Sequence, residues 1–192
     1  MKILLVAATK NEVLKSNFED LDILHTGVGM VNTTLKLTQK FSVSSYDLVI
    51  NLGIAGTFKN ELRVGDVVEV IEDTFSEIGY QDKNDFFQFT DFNIIETYKV
   101  KGQTSLVKVK GITVNTVHGN KDSIVKVVEK FNPDIESMEG AAVFKVCEEF
   151  KIPCMQIRAI SNIVEERNKE KWNIPLAINN LNKSVEQIIS KL

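Results

Sequence analysis

The chain has 192 residues, 43% of them hydrophobic, and its 26 acidic and 23 basic residues give a net charge of −3. A chain of this length buries one sizeable core, so we expect a single domain over residues 1–192. The balanced charge provides no basic patch for nucleic acid and no polybasic segment for an anionic membrane. We therefore expect the partner to be a small molecule.

Continuous apolar runs predict buried strands, because a strand covered on both faces is hydrophobic throughout. These runs lie at residues 3–8, 48–52, 67–71, 112–117 and 154–160. The run at 3–8 is too short for a signal-peptide apolar region or for a membrane span.

Residues spaced three or four apart predict amphipathic helices between and after these strands. The helices are marked by Val31, Leu35 and Thr38, by Ile124, Val127, Val128 and Phe131, by Val143, Cys147 and Phe150, and by Ala177, Leu181, Val185 and Ile188. Strands that alternate with such helices predict an α/β fold with a layered sheet. Residues 72–110 interrupt the alternation, and their Phe, Asp, Asn and Gln content predicts strands and loops that bend over one end of the sheet.

Two glycine-containing segments follow predicted strands. Residues 27–32, Gly-Val-Gly-Met-Val-Asn, begin like a dinucleotide fingerprint, but Asn32 occupies the third glycine position. A strand-to-helix turn there exposes backbone N–H groups to a ligand oxygen. Residues 51–57 contain Gly53, Ala55 and Gly56, which fit either a tight turn or a close approach of the backbone to a ligand.

Polar side chains lie where elements of the predicted sheet begin or end. Glu139 opens a helix and Asn162 ends the following strand, which directs both toward the crevice where α/β folds bind ligands. Glu12, just after the first strand, is either a helix-start carboxylate or a general base. Asn162 either caps the turn after its strand or binds a ligand. Trp172 either packs the last helix against the core or covers a ligand.

Metal and disulfide chemistry are not indicated. His25 and His118 lack a companion at metal-ligand spacing, and Cys147 and Cys154 are most simply small buried apolar groups. Two such cysteines fit a reducing compartment, so we expect a cytoplasmic protein with no metal and no cofactor.

Taken in order, these segments resemble the nucleoside phosphorylase/nucleosidase superfamily nearly end to end. The resemblance is carried by residues 1–12, 27–29, 51–57, 63–68, 137–142 and 158–162. It implies a three-layer α/β/α fold around a central mixed, mostly parallel sheet. It also implies a homo-oligomer, dimer or higher, for which the Phe-rich segment 75–92 is the expected contact.

The resemblance also implies roles for individual residues. Glu12 falls where the hydrolases carry the acid that activates the attacking water, and Glu139 would grip the ribose hydroxyls. A carboxylate there stabilises the positive charge that develops on the sugar as the N-glycosidic bond breaks. The implied substrate-binding positions are Ile54, Ala55, Gly56, Val117, Met138, Glu139 and Trp172.

We expect Asn162 to contact the leaving base. Adenine-releasing nucleosidases of the superfamily carry an aspartic acid in a Ser-Asp pair, whereas this chain has Ser161-Asn162. An amide cannot deliver a proton, but it donates one hydrogen bond and accepts another, which suits N7 and O6 of a 6-oxopurine. Asn162 is therefore the second expected catalytic residue beside Glu12.

Hydrolysis is favoured over phosphorolysis. Phosphorylases hold phosphate with cationic groups, usually arginines, and this chain has only Arg63, Arg158 and Arg167, none of them in the 27–32 turn. A water nucleophile activated by Glu12 therefore fits better than phosphate.

Within the superfamily the chain is most similar to the futalosine hydrolase subfamily. The similarity lies in residues 136–142, the Ser161-Asn162 pair and residues 168–178. It implies release of hypoxanthine and dehypoxanthinylfutalosine from futalosine, in menaquinone biosynthesis. The alternatives are a methylthioadenosine/S-adenosylhomocysteine nucleosidase, a purine nucleoside phosphorylase, or a non-catalytic nucleotide-binding domain.

Overall fold

Strands and helices alternate around one mixed sheet in the computed structural model, which describes residues 1–83, 85–89, 94 and 96–192. The strands are β1 Ile3–Ala7, β2 Asp22–His25, β3 Leu48–Thr57, β4 Val67–Phe75, β5 Tyr80–Asp82, β6 Asp85–Phe87, β7 Thr97–Lys99, β8 Val107–Thr113, β9 Ile135–Ser137 and β10 Cys154–Ile163. The α-helices are α1 Met30–Phe41, α2 Lys121–Phe131, α3 Gly140–Glu149 and α4 Ile174–Ile189. Short 3₁₀ turns lie at Lys10–Glu12, Lys15–Asn17 and Lys169–Lys171.

The central sheet partly closes on itself. Its strand order is β10-β4-β8-β9-β3-β1-β2, with β7 on β4, and β10 also pairs with β3. The pairings β1–β2, β1–β3, β3–β10, β4–β8 and β8–β9 are parallel, while β4–β10, β3–β9 and β4–β7 are antiparallel. The predicted α/β fold with a mixed, mostly parallel sheet is therefore confirmed.

Helices cover both faces of the flat part of the sheet. Alternate residues of β1 point to opposite faces, as the period of a strand requires. Leu4 and Val6 pack in the cluster that contains residues of α1 and α3, and Ile3 and Leu5 pack in the cluster that contains residues of α4. The first predicted strand is consequently apolar throughout.

The closed part of the sheet has its own interior. A third cluster takes residues from each of the strands β3, β4, β8, β9 and β10, namely Ala55, Val68, Val70, Val109, Ile135 and Ile160. This small core holds β10 against both β3 and β4, so the two sides of the crevice belong to one packed unit.

Two predicted strand boundaries were wrong. β3 continues through residues 53–56, so this segment is not a tight turn but extended backbone paired with β10. β8 ends at Thr113, and residues 114–117 leave the sheet. Val117 thereby lies off the strand that was predicted to contain it.

The predicted apolar face of α1 was also wrong. Val31 and Leu35 are 75% and 52% exposed, whereas Thr33, Leu37 and Phe41 form the buried face. The helix carries two stripes with helical spacing, and the sequence does not show which one meets the sheet.

The Phe-rich middle forms short strands, as predicted. β5 and β6 form a hairpin, and β7 pairs antiparallel with β4, where Phe75 packs edge-on against Tyr98. Phe92, part of the predicted contact segment, lies outside the described residues. No helix in the described part of the chain is long and apolar enough to cross a membrane.

A buried polar network ties the strands to the start of α3. Asp73 of β4 accepts hydrogen bonds from Thr113 Oγ1 at 2.8 Å and from Gln156 Nε2 at 3.0 Å. Thr113 Oγ1 in turn accepts the Ala141 N–H at 2.8 Å in the first turn of α3. Burial raises the pKa of Asp73 to about 6, against the lowering effect of these hydrogen bonds and of the Arg158 charge. The network therefore fixes where α3 begins.

We predict that Asp73 makes stability depend on pH. Its pKa is 3.8 when unfolded and about 6 when folded, so its contribution is complete below pH 3.8 and is lost as the pH rises through about 6. Relative to Asp73→Asn, the free energy of unfolding of the unmodified protein should fall by about 3 kcal/mol across this window. Urea unfolding at several pH values measures the difference.

The variant should fold, because Gln156 Oε1 has no partner and can accept from the new amide. Asp20→Asn, at an exposed position, is the matched control and should follow the unmodified protein. Parallel pH profiles for Asp73→Asn and the unmodified protein would contradict the prediction.

Candidate active site

A cavity of about 410 Å³ lies beside the carboxyl-terminal half of β3. The loop after β1, the segment before α3, β10 and the start of α4 supply its other walls. All nine positions expected from the sequence line it: Glu12, Ile54, Ala55, Gly56, Val117, Met138, Glu139, Asn162 and Trp172. The structure thus brings these residues together, and their individual roles stay predictions.

Glu12 is held rigidly at the end of the 3₁₀ turn after β1. Its Oε2 accepts hydrogen bonds from the backbone N–H and the hydroxyl of Thr9, at 2.7 and 3.0 Å. Asn182 of α4 fastens the loop, because its amide donates to the Glu12 carbonyl and accepts the Leu14 N–H. A Cβ on Gly53 would lie 3.1 Å from Oε1, so the glycine leaves room at this oxygen.

Glu139 precedes α3 and faces the same cavity. Its Oε1 accepts the backbone N–H of Gly29 at 2.9 Å. The turn at residues 27–29 therefore presents an N–H group, as expected, but to a carboxylate of the protein itself. Burial raises the pKa of Glu139, while the Arg158 charge and the Gly29 N–H lower it.

Arg158 supplies a buried positive charge behind the two carboxylates. It is 1% exposed, and its Nη2 donates to Asn51 Oδ1 at 2.6 Å. Burial lowers its pKa, while Glu139, Glu12 and Asp73 raise it. A Cβ on Gly53 would lie 3.0 Å from Arg158 Nη1, so guanidinium and Glu12 carboxylate approach the same bare α-carbon. Neither Arg158 nor Asn51 was singled out from the sequence, because both lie within or beside apolar runs.

Asn162 lies next to an irregularity in β10. The pairing with β3 shifts between Ile160 and Asn162, which brings Asn162 opposite Gly56. Such a bulge re-aims a side chain beside a site. Ser161 Oγ donates to Asn162 Oδ1 at 2.8 Å, and Asn162 Nδ2 donates to the Ile163 carbonyl at 3.1 Å. The amide keeps one N–H and one acceptor position for a ligand.

A histidine–carboxylate pair lines the cavity opposite Asn162. His118 Nδ1 lies 2.6 Å from Glu136 Oε2, and the His118 backbone N–H donates to Glu136 Oε1 at 3.0 Å. The pair was not predicted, because 18 residues separate His118 from Glu136 and no local pattern links them. In the described residues no group of three or more His, Cys, Asp or Glu is placed to hold a metal ion.

Trp172 and Arg167 stand together at the cavity wall. The guanidinium carbon lies 5.3 Å from the Trp172 ring centroid, within the range of a cation–π contact. Trp172 follows the 3₁₀ turn Lys169–Lys171, and its backbone N–H donates to the Lys169 carbonyl. The half-buried indole therefore has one face toward Arg167 and lines the cavity.

Comparisons with known proteins identify the family. The sequence profile of the phosphorylase superfamily matches residues 19–190. A 5'-methylthioadenosine/S-adenosylhomocysteine nucleosidase of Shewanella denitrificans is 31% identical over 164 residues, which cover 75% of this chain and 69% of that protein. A futalosine hydrolase of Thermus thermophilus is 21% identical over 181 residues, covering 88% of this chain and 80% of that protein.

The fold agrees with this family. The solved structure of a futalosine hydrolase of Helicobacter pylori matches 100% of this chain and 98% of that chain with a TM-score of 0.86, at 17% identity. The chain therefore belongs to the phosphorylase superfamily, as the sequence predicted. The relatives are nucleosidases, and the chain is an enzyme of that class, which hydrolyses N-glycosidic bonds.

Proposed function

We propose that this enzyme releases hypoxanthine from futalosine by hydrolysis. The observation that carries the proposal is the Ser161-Asn162 pair at the cavity, where an amide with one free donor and one free acceptor replaces a carboxylic acid. A 6-oxopurine presents N7 and O6 side by side: the amide N–H donates to O6, and Oδ1 accepts from N7 once N7 carries a proton.

Glu12 is proposed as the general base that activates water. One of its oxygens is anchored by Thr9, and the other faces the space left by Gly53. A carboxylate fixed in position at the cavity, with one oxygen left for a water molecule, is the geometry that proton abstraction needs. Arg158 keeps a positive charge behind this position, which balances the carboxylate without removing it from the cavity.

Glu139 is proposed to hold the ribose, with Met138 beside it. Its Oε1 accepts the Gly29 N–H, and the carboxylate retains acceptor positions for two sugar hydroxyls. Its negative charge also stabilises the cationic sugar as the bond to the base lengthens.

Asn162 is proposed to stabilise the departing base. As the N-glycosidic bond breaks, electron density moves into the purine and accumulates on N7 and O6. The free N–H of Asn162 donates to O6 and stabilises the charge there. N7 takes a proton from solvent as the bond breaks, and Oδ1, held by Ser161, accepts a hydrogen bond from that N7–H. Trp172 and Val117 line the same cavity as apolar walls for the substrate.

The charges around the cavity favour water over phosphate as the nucleophile. An anion in the cavity would share it with the carboxylates of Glu12 and Glu139, and the buried cation beside Glu12 is Arg158. Arg158 is already bonded to Asn51, and like charges at short range oppose binding of a dianion.

Methylthioadenosine/S-adenosylhomocysteine nucleosidase activity is the second candidate. It is favoured by the relative with that name, which at 31% identity exceeds the 21% of the futalosine hydrolase. The two activities differ in the base, so the groups facing the purine decide between them.

Base release from three nucleosides tests the proposal. The enzyme is incubated with futalosine, 5'-methylthioadenosine and inosine, with and without phosphate, and free base is quantified by chromatography. Free hypoxanthine from futalosine at an unchanged rate without phosphate is the expected result. Adenine from methylthioadenosine alone would instead support the second candidate, and a phosphate requirement would identify a phosphorylase.

Glu12→Gln should keep the fold and ligand binding while turnover falls about a hundredfold or more, because the amide cannot take a proton from water. Steady-state rates measure turnover, and calorimetry with hypoxanthine measures binding. Glu61→Gln, on an exposed turn, is the matched control. Near-normal turnover of Glu12→Gln would reject Glu12 as the base.

Asn162→Asp should shift the preference from futalosine toward the 6-amino analogue. A carboxylate repels O6, whereas a carboxylic acid can donate to N7 of adenine and accept from its amine. We expect the ratio of kcat/KM values to change by about 2 kcal/mol, roughly 30-fold. Asn179→Asp, on the exposed side of α4, controls for the added charge. An unmoved ratio would show that Asn162 does not read the base.

The chain is also proposed to assemble as a homo-oligomer, dimer or higher, in the cytoplasm. The exposed α1 face with Val31 and Leu35 borders a wide cleft that Met30, Phe75, Ile78 and Ile94 also line. Phe75 and Ile78 belong to the predicted contact segment 75–92. The two cysteines, Cys147 and Cys154, are buried free thiols, in keeping with a reducing compartment.

Leu35→Lys should dissociate the oligomer, because a lysine charge would be buried in an apolar contact. Light scattering at micromolar protein measures the mass, and Val125→Lys, on exposed α2, is the control. A monomeric unmodified protein would contradict the assembly, and an intact Leu35→Lys oligomer would exclude the α1 face.

A further inference from the structure

Asn182 is a buried polar residue in the middle of α4, and its amide bonds three backbone groups. The residue is 0% exposed. Its Nδ2 donates to the carbonyls of Ile178 at 2.7 Å and Glu12 at 3.0 Å, and its Oδ1 accepts the Leu14 N–H at 2.8 Å. An asparagine amide has two N–H donors and one carbonyl acceptor, so every polar atom of this side chain is engaged. The amide therefore has one fixed orientation.

The loop that carries Glu12 depends on this amide for its place in the protein. The Glu12 carboxylate is bonded to Thr9 of the same loop, so that contact moves with the loop and does not locate it. Among the described residues, the hydrogen bonds from residues 9–17 to distant parts of the chain all reach α4. The one that does not involve the amide joins Asn17 Nδ2 to Glu186 Oε2 at 3.3 Å, on the exposed surface. Water competes for an exposed bond, so the buried amide supplies the directional constraint.

Apolar packing holds the same loop near α4 without orienting it. Val13 and Phe18 lie in one core cluster with Ala177, Leu181 and Val185 of α4. Such burial is non-directional, so a small shift of the loop loses little of it. A general base, in contrast, acts only when its oxygen stands within hydrogen-bond reach of the proton that it abstracts. Folding and catalytic alignment of this loop therefore rest on different contacts.

The amide also connects the loop to a wall of the cavity. The side chain of Ile178 lines the cavity, while its carbonyl accepts one of the two N–H groups of Asn182. The other N–H group is donated to the Glu12 carbonyl. One side chain thus fixes the backbone at Glu12 relative to the part of α4 that faces the ligand.

We propose that Asn182 is a positioning residue for hydrolysis: it holds the backbone at Glu12 and Leu14 so that the Glu12 carboxylate stays aligned with the attacking water. This rests on the proposed function, because it requires Glu12 to be the general base. Asn182 is fully buried and does not belong to the described lining of the cavity, so it acts through Glu12. Its loss lowers turnover and leaves the contacts that bind substrate in place.

A double-mutant cycle between Asn182 and Glu12 tests the proposal. The values of kcat and KM are measured for the unmodified enzyme, Asn182→Leu, Glu12→Gln and the double variant, with whichever nucleoside the enzyme hydrolyses. Leucine keeps the approximate volume of asparagine but forms none of the three bonds. We expect Asn182→Leu to lower kcat at least about tenfold with KM nearly unchanged, because misplacing a catalytic group by about 1 Å costs up to about a hundredfold. In the Glu12→Gln background the same change should alter kcat by less than about twofold, because no base remains to be aligned.

Asn180→Leu is the matched control. Asn180 lies on the same helix, and its Nδ2 donates to the carbonyl of Gly65 at 2.8 Å, so it also joins a loop to α4 but not the loop of Glu12. This variant should keep the kcat of the unmodified enzyme. Circular dichroism and urea unfolding verify the fold of each protein. If Asn182→Leu fails to fold, Asn182→Ala and Asn180→Ala take the place of the leucine variants, because alanine favours a helix and adds no bulk.

The outcomes separate a positioning role from a structural one and from the proposed function. A loss of kcat that is equal in both backgrounds, or an Asn182 variant with normal kcat, overturns the assignment of Asn182 and leaves Glu12 as the base. Failure to hydrolyse futalosine, with the cycle as expected on another nucleoside, rejects the proposed substrate and keeps the role of Asn182. Near-normal turnover of Glu12→Gln, or no base released from any nucleoside, rejects both.

Discussion

The guanidinium of Arg158 is the charge on which the rest of the site depends. This side chain of β10 is buried, and the carboxylates of Glu139, Glu12 and Asp73 raise its pKa. Isolated buried charges are strongly destabilising, so neither the cation nor this group of acids is tolerable alone. Removing the arginine would raise the pKa of Glu139 further above its ordinary value, because burial would then be less opposed.

The closed part of the sheet makes this arrangement possible. β10 pairs with β3 on one side and with β4 on the other, so Arg158, Gly53 and Asp73 come from three adjacent strands. The Asp73 network reaches the first turn of α3 through Thr113 and thereby sets the position of Glu139. Packing, charge balance and the geometry of the cavity are consequently coupled, and a change in one of these strands acts on all three.

Three polar residues of the site could be predicted from their places at the ends of elements, whereas Ile54, Val117 and Met138 followed only from the family resemblance. Glu12, Glu139 and Asn162 interrupt or terminate strong apolar patterns, and such polar positions at strand ends mark ligand sites. Arg158 was hidden inside an apolar run, and Asn182 inside a helical one, because periodicity reports burial but not the partner of a buried polar group. The strand through residues 53–56 and the exposed face of α1 were missed for a related reason: pairing and docking are long-range, and local sequence does not encode them.

The choice between purine substrates depends on the hydrogen-bond donors and acceptors around the base. A buried group that the wrong substrate leaves without a partner lowers the rate for that substrate strongly. In the proposed reaction, Asn162 contacts the edge of the base that carries N7 and O6. A crystal structure of the enzyme with hypoxanthine tests this most directly. The expected result is O6 and N7 within hydrogen-bond distance of the Asn162 amide. Hypoxanthine bound elsewhere in the cavity, or with O6 and N7 turned away from Asn162, would contradict this role of Asn162.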